Sequence, residues 1–122
     1  MKAILYSKNG HRGCDIIRDR LNKHNINFVE KNLYKVSINE VDLKHILDRC
    51  DNGFEDIISK RSLPYKRISD VINDMKYSEL FQFILDNQEI LRTPIVYTKR
   101  DMLIGYQEET FEEFMKELTN NW

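Results

Sequence analysis

A chain of 122 residues is long enough to bury a hydrophobic core as a single domain without disulfide or metal staples. Its 19 basic and 20 acidic residues leave a net charge of -1, which excludes a global electrostatic pull toward nucleic acid or an anionic membrane surface. No apolar run approaches the roughly 20 residues of a membrane span, and the start MKAILY gives way to polar residues too soon for a signal peptide, so a cytoplasmic location is expected.

The first element is the short apolar run KAILY at 2–6, read as a buried strand that feeds the polar loop ending at Gly13. From Cys14 the spacing Cys14, Ile17, Leu21 puts three apolar groups on one helical face, and the helix is expected to end near His24 and Asn25. The run INFVEKNL, centred on Phe28 and Val29, predicts a second strand, and strand-helix-strand with short loops implies a right-handed βαβ unit. Next, Ser37 and Glu40 form a capping-box pattern ahead of Leu43, Ile46, Leu47 and Cys50, which predicts a helix over about 38–50 with Cys50 on its core stripe. Asn52-Gly53 stops that helix, Phe54–Ser59 reads as another helical turn or two, and Pro64 breaks the pattern again. A further helix carries Tyr77, Leu80, Phe81, Ile84 and Leu85 on one face. After Arg92-Thr93-Pro94, IVYT and MLIGY flank Lys99-Arg100-Asp101 as a hairpin, and Phe111, Phe114, Met115 and Leu118 mark a final amphipathic helix over 107–118. The order βαβ, helical block, ββα predicts an α/β fold: one thioredoxin-like mixed sheet built from both ends of the chain with an all-helical insertion between them. The expected organisation is a single domain, 1–122, with its thioredoxin-like part at about 1–36 and 90–122 and the insertion at about 37–89.

A cysteine in the first turn of a helix lies beside unsatisfied backbone N–H groups that stabilise a thiolate, so Cys14 is placed either to react or to serve as a small buried residue on the inner helix face. His11 stands three residues earlier, where a second cysteine would permit a CxxC disulfide. It is either a proton donor or acceptor for the thiol or a solvated loop histidine. Cys50, far away in another helix, makes no zinc signature or secreted framework with Cys14, and both are expected as thiols in a reducing compartment. Pro94 is expected either as a cis proline exposing backbone beside the loop or as an ordinary trans proline at a strand start. Lys60-Arg61 with Lys66-Arg67 is a modest basic cluster, either a solvated face or a contact for an anion or acidic partner.

The blocks EDIISKRS at 55–62 and ILRTPIVYTKRDMLIGYQEETFEEF at 90–114, with AILYS and NFVEKNL, resemble the arsenate reductase/Spx family, most closely its Spx branch. The resemblance implies a bacterial, cytoplasmic stress-response regulator that binds the C-terminal domain of the RNA polymerase α subunit and reaches promoter DNA only through polymerase. It implies partner binding at Gly53, which is also readable as a helix C-cap, and at Arg92 of the LRxP segment. It places His11 where the branch has the first cysteine of its redox pair and where arsenate reductases have their nucleophile, so no intramolecular disulfide switch is expected. Of the three arginines that hold the oxyanion in the reductases, Arg61 matches one, while Thr93 and Gly105 stand at the others, so arsenate reduction is not expected. Asp48 departs from the basic residue implied on the first inserted helix. The leading expectation is an Spx-like regulator, monomeric, with no cofactor, no metal and no membrane association. The alternative is a thioredoxin-fold thiol reductase using Cys14, with His11 and Arg61 assisting.

Overall fold

Ala3, Leu5, Tyr6 and Ser7 are all buried, a pattern open to a strand covered on both faces. A computed structural model, which describes residues 2–120, places them in β1 (Ala3–Ser7) at the interior of a four-stranded sheet ordered β2-β1-β3-β4. β2 (Phe28–Asn32) runs parallel to β1, with Ala3 opposite Phe28 and Ser7 opposite Asn32. β3 (Ile95–Tyr97) lies antiparallel on the other side, with Tyr6 opposite Ile95. β4 (Met102–Ile104) completes the hairpin. Its turn is tied by Thr98, whose hydroxyl accepts the N–H groups of Arg100 and Asp101. The mixed thioredoxin-like sheet expected from the sequence is therefore present.

The described residues of Met1–Val36 and Thr93–Trp122 form one compact unit, and Ser37–Arg92 forms another. In the first unit, α1 (Arg12–Lys23) turns Cys14, Ile17 and Leu21 inward, and α6 (Glu108–Asn120) does the same with Phe111, Phe114, Met115 and Leu118. Ile17 and Leu21 with the four α6 side chains join Ala3, Leu5, Val96 and Leu103 in one core. Arg20 reaches from α1 to Glu108 at 2.8 Å while its guanidinium lies 5.1 Å from the Phe111 ring. α1 begins at Arg12, slightly ahead of the expected Cys14 start, because His11 already adopts the extended N-cap conformation.

The second unit contains α2 (Glu40–Arg49), α3 (Phe54–Ile57), α4 (Leu63–Ile68) and α5 (Tyr77–Asp86), with single 3-10 turns at Ile72–Asp74 and Gln88–Ile90. Several local expectations change here. The Ser37/Glu40 box is not used: Asn39 caps α2, its side-chain oxygen accepting from Val41 N at 2.8 Å and Asp42 N at 3.3 Å. An asparagine next to the first helical residue competes better than a serine two positions further out. Cys50 leaves the helical stripe as the extended C-cap and is only half-buried. Gly53 does not cap α2 but precedes α3, with φ +60° and ψ -130°, a region open essentially to glycine. Pro64 does not break a helix. It sits in the first turn of α4, where a missing N–H costs nothing, behind the N-cap Ser62. Tyr77 lies outside the buried face of α5, exposed and 5.0 Å from the Phe54 ring.

Glu30 ties β2 to both neighbours. It accepts Arg18 Nε at 2.5 Å and Nη2 at 2.6 Å, and the hydroxyl of buried Ser7 at 2.6 Å. The Arg18 hydrogen bond is the largest influence on the Glu30 carboxyl and, with lesser help from Ser7 and the arginine charge, holds it below its ordinary 4.5 against the opposing effect of burial. A carboxyl depressed in the fold contributes stability that is present above its unfolded pKa and is lost as pH falls through the folded one. Urea unfolding of wild type and Glu30→Gln should therefore differ by a constant amount at neutral pH, and the gap should close once pH drops below 4.5.

Candidate functional site

The turn from β1 into α1 carries His11-Arg12-Gly13-Cys14. The His11 carbonyl accepts the N–H of Cys14 at 3.0 Å and of Asp15 at 3.3 Å, which closes the first turn of α1. Its imidazole makes no capping bond. Instead Nδ1 lies 3.2 Å from the Thr93 hydroxyl, a pair in which the tautomer decides which group donates. Partial loss of hydration, and secondarily the Lys8 charge, lower the His11 pKa from its usual 6.5. The ring is therefore neutral at physiological pH, a hydrogen-bonding group and not an anion-binding cation.

Gly13 lets this turn come close to the second half of the unit. A Cβ there would stand 3.3 Å from Pro94 Cδ and 3.4 Å from Tyr106 Cβ. The Thr93–Pro94 bond is cis, the first of the two states open to it from the sequence, and the Pro94 carbonyl accepts Gly105 N–H at 2.8 Å. His11, Thr93, Pro94 and Gly105 are thus gathered at one place. Cys14 is adjacent in the chain, yet its side chain is fully buried on the inner face of α1 with Ile17 and Leu21. The imidazole meets Thr93 and the sulfur meets the core, so the thiol–imidazole pair, one of the two readings open to His11, is not formed by any hydrogen bond among the described residues. Cys50 lies in the other unit, its thiol donating to the Ile46 carbonyl at 3.1 Å. Burial, then Asp56 and Asp51, raise its pKa to about 11, so it stays a thiol at neutral pH. Both cysteines are free.

In the second unit, Gly53 and Arg92 come together around α3. The Arg92 guanidinium donates from Nη1 to the Asp56 carbonyl at 3.1 Å, and its backbone N–H bonds the Ile57 carbonyl at 2.8 Å. Asp48 stands exposed on α2. Arg61 is exposed in the turn joining Ser59 to Ser62, after Lys60, which pairs with Glu55 at 3.5 Å. Phe54, Ile58, Tyr65, Ile72 and Leu80 line a shallow cleft of about 230 Å³ with Lys60 among its polar groups. Sequence reasoning missed Asn52 and Asp56, whose side chains bond each other across the Gly53 turn. The available signal was an Asx residue just ahead of the glycine with an aspartate four positions on. Among the described residues, no group of three or more His, Cys, Asp or Glu side chains is arranged to hold a metal ion, and no helix is long and apolar enough to cross a membrane.

Two measurements follow from this geometry. In an NMR titration His11 should lose its proton below pH 6.5, and Lys8→Gln should move the midpoint upward. Because the unfolded chain binds the proton more readily, charging this ring costs stability as pH falls through 6.5. Iodoacetamide should leave Cys14 unmodified in the native protein and modify it once urea unfolds the chain. Rapid labelling of Cys14 under native conditions would contradict its burial.

Comparison with known proteins extends the sequence resemblance. The ArsC family model matches residues 8–114. The global transcriptional regulator Spx of Lactiplantibacillus plantarum is 32% identical over 113 residues, 93% of this chain and 86% of that protein. Spx of Bacillus subtilis is 28% identical over 113 residues, again 93% and 86%. Among solved structures, an ArsC family related protein from Bacteroides fragilis aligns with a TM-score of 0.81 at 19% identity, covering 93% of this chain and 98% of that one. An arsenate reductase from Vibrio cholerae aligns with a TM-score of 0.77 at 14% identity, covering 95% and 97%. The two structures speak for the fold alone. With the family model spanning most of the sequence and a 32% identical relative spanning nearly all of it, the chain belongs to the ArsC family.

Proposed function

We propose that this protein is an Spx-type transcriptional regulator that binds the C-terminal domain of the RNA polymerase α subunit through the surface around Gly53, and that it does so without an intramolecular disulfide switch. The observation that carries the reading is the 32% identity to a global transcriptional regulator Spx along 93% of the chain. On this reading the protein is a cytoplasmic monomer that responds to stress and touches promoter DNA only through polymerase. The His11-Arg12-Gly13-Cys14 loop supports the absence of a switch. An imidazole cannot close a disulfide, and Cys14 and Cys50 are both free, with Cys14 buried. The same facts weigh against the thiol-reductase alternative. Its nucleophile would have to be a sulfur shut away from substrate, and a threonine and a glycine stand at two of the positions where the resemblance implies anion-holding arginines.

Gly53 supports the contact surface physically. A Cβ built there meets nothing within 4 Å, so the residue is open to an approaching backbone, while its φ of +60° resists any side chain. Both Gly53→Ala and Gly53→Arg strain the turn, and only the arginine adds bulk. Isothermal titration with the isolated C-terminal domain of the polymerase α chain should show binding that is indifferent to reductant. Gly53→Arg should weaken it by at least about tenfold more than Gly53→Ala, a difference on the order of 1.4 kcal/mol. Wild-type protein that fails to bind the α domain rejects the reading. Turnover of arsenate or glutathione disulfide that disappears in Cys14→Ser would restore the reductase alternative.

A further inference from the structure

With four residues, α3 is too short to hold its own shape by helical hydrogen bonding, and the turn that precedes it pivots on a glycine. Neighbouring groups hold it instead, and they converge on Asp56. The Asp56 carboxylate accepts Asn52 N–H at 3.0 Å and Asn52 Nδ2 at 3.3 Å, while its own N–H donates to the Gly53 carbonyl at 3.2 Å. The Asp56 carbonyl, left open at the end of so short a helix, receives the Arg92 guanidinium at 3.1 Å. The backbone behind repeats the connection. Arg92 N–H bonds the Ile57 carbonyl at 2.8 Å, Ile58 bridges to Leu91, and Ser59 N–H bonds the Ile90 carbonyl at 2.7 Å.

We propose that Arg92 is a positioning residue, whose guanidinium, acting through Asp56, fixes the Gly53 turn in the shape that meets the partner without touching the partner itself. The proposal rests on the reading of Gly53 as part of the α-domain contact surface. Its physical basis is preorganisation. A glycine turn released from its clamp samples other conformations, and that freedom must be lost again on binding, which lowers affinity without removing any contact. Arg92 remains exposed, yet its donor is committed to a main-chain carbonyl in its own unit.

The experiment compares full-length wild type, Arg92→Ala, Arg92→Lys, Asp56→Ala and the Arg92→Ala/Asp56→Ala double variant. It reads amide hydrogen exchange and 15N shifts over 51–58 in the free protein, and affinity for the C-terminal domain of the polymerase α chain. Arg92→Ala should speed exchange at Asn52 and Ile58, move the Gly53 resonance and weaken α-domain binding about fivefold to tenfold, the scale of one ordinary hydrogen bond. Arg92→Lys, which can still donate to the Asp56 carbonyl, should recover most of both. The double variant should bind no more weakly than the worse single one, since both act through the same turn. Weakened binding with unchanged exchange and shifts, or losses that add in the double variant, would make Arg92 a direct contact and overturn the proposal. Arg92→Ala that changes nothing overturns it too. Should wild type not bind the α domain, the functional reading falls, and the exchange data alone keep or reject the clamp.

Discussion

Strand β1 is the constraint on which the rest depends. It is the one place where the beginning and the end of the chain become a single sheet, with β2 bonded to one edge and β3 to the other. The buried Ala3 and Leu5 stabilise it by packing on the face that α1 and α6 cover, the two helices coming from either end of the sequence. Residues 37–92 are passed over in closing this sheet. The cost of doing so grows only as the logarithm of the length skipped, which is why an inserted unit of that size is tolerated.

The same strand determines where the loops collect. After β2 the chain turns at Leu33, whose N–H bonds the Ser7 carbonyl, and on its return Ile95 pairs with Tyr6. Both crossings therefore lie at the C-terminal end of β1, where α1 also begins. His11, Thr93, Pro94 and Gly105 are neighbours because of this convergence. The chemistry that remains there is modest: a neutral imidazole hydrogen-bonded to a hydroxyl, with the nearest sulfur turned into the core.

The proposed contact surface belongs to the second unit, where the arrangement follows a different logic. No sheet sets the position of Gly53. A four-residue helix does so, stabilised by a carboxylate, a guanidinium and a short run of backbone bonds to Ile90, Leu91 and Arg92. Phe54 carries the same helix into contact with Tyr77, and through it to Phe81 with ring centres 6.0 Å apart. A surface built from such short elements owes its form to polar contacts between them more than to helix propensity.

Much of this was legible in the residue order. The strands at Ala3–Ser7 and Ile95–Tyr97, the hairpin turn at Lys99-Arg100-Asp101, and the inner faces of α1 and α6 all follow from apolar spacing, because burial selects residues at the period of the element that buries them. That a histidine, His11, stands three residues ahead of Cys14 was also plain, since it is a matter of residue identity. Competing local signals were harder to resolve: Ser37 and Asn39 both offer a cap, Gly53 serves equally as an end or a beginning, and Pro64 can stop a helix or start one. What only the tertiary structure decided are the partners: Thr93 for His11, the core for the Cys14 sulfur, and the Asp56 carbonyl for Arg92. Local sequence determines which conformations a segment can adopt cheaply, whereas the choice among them, and the atom each side chain meets, depends on groups brought close by folding from tens of residues away.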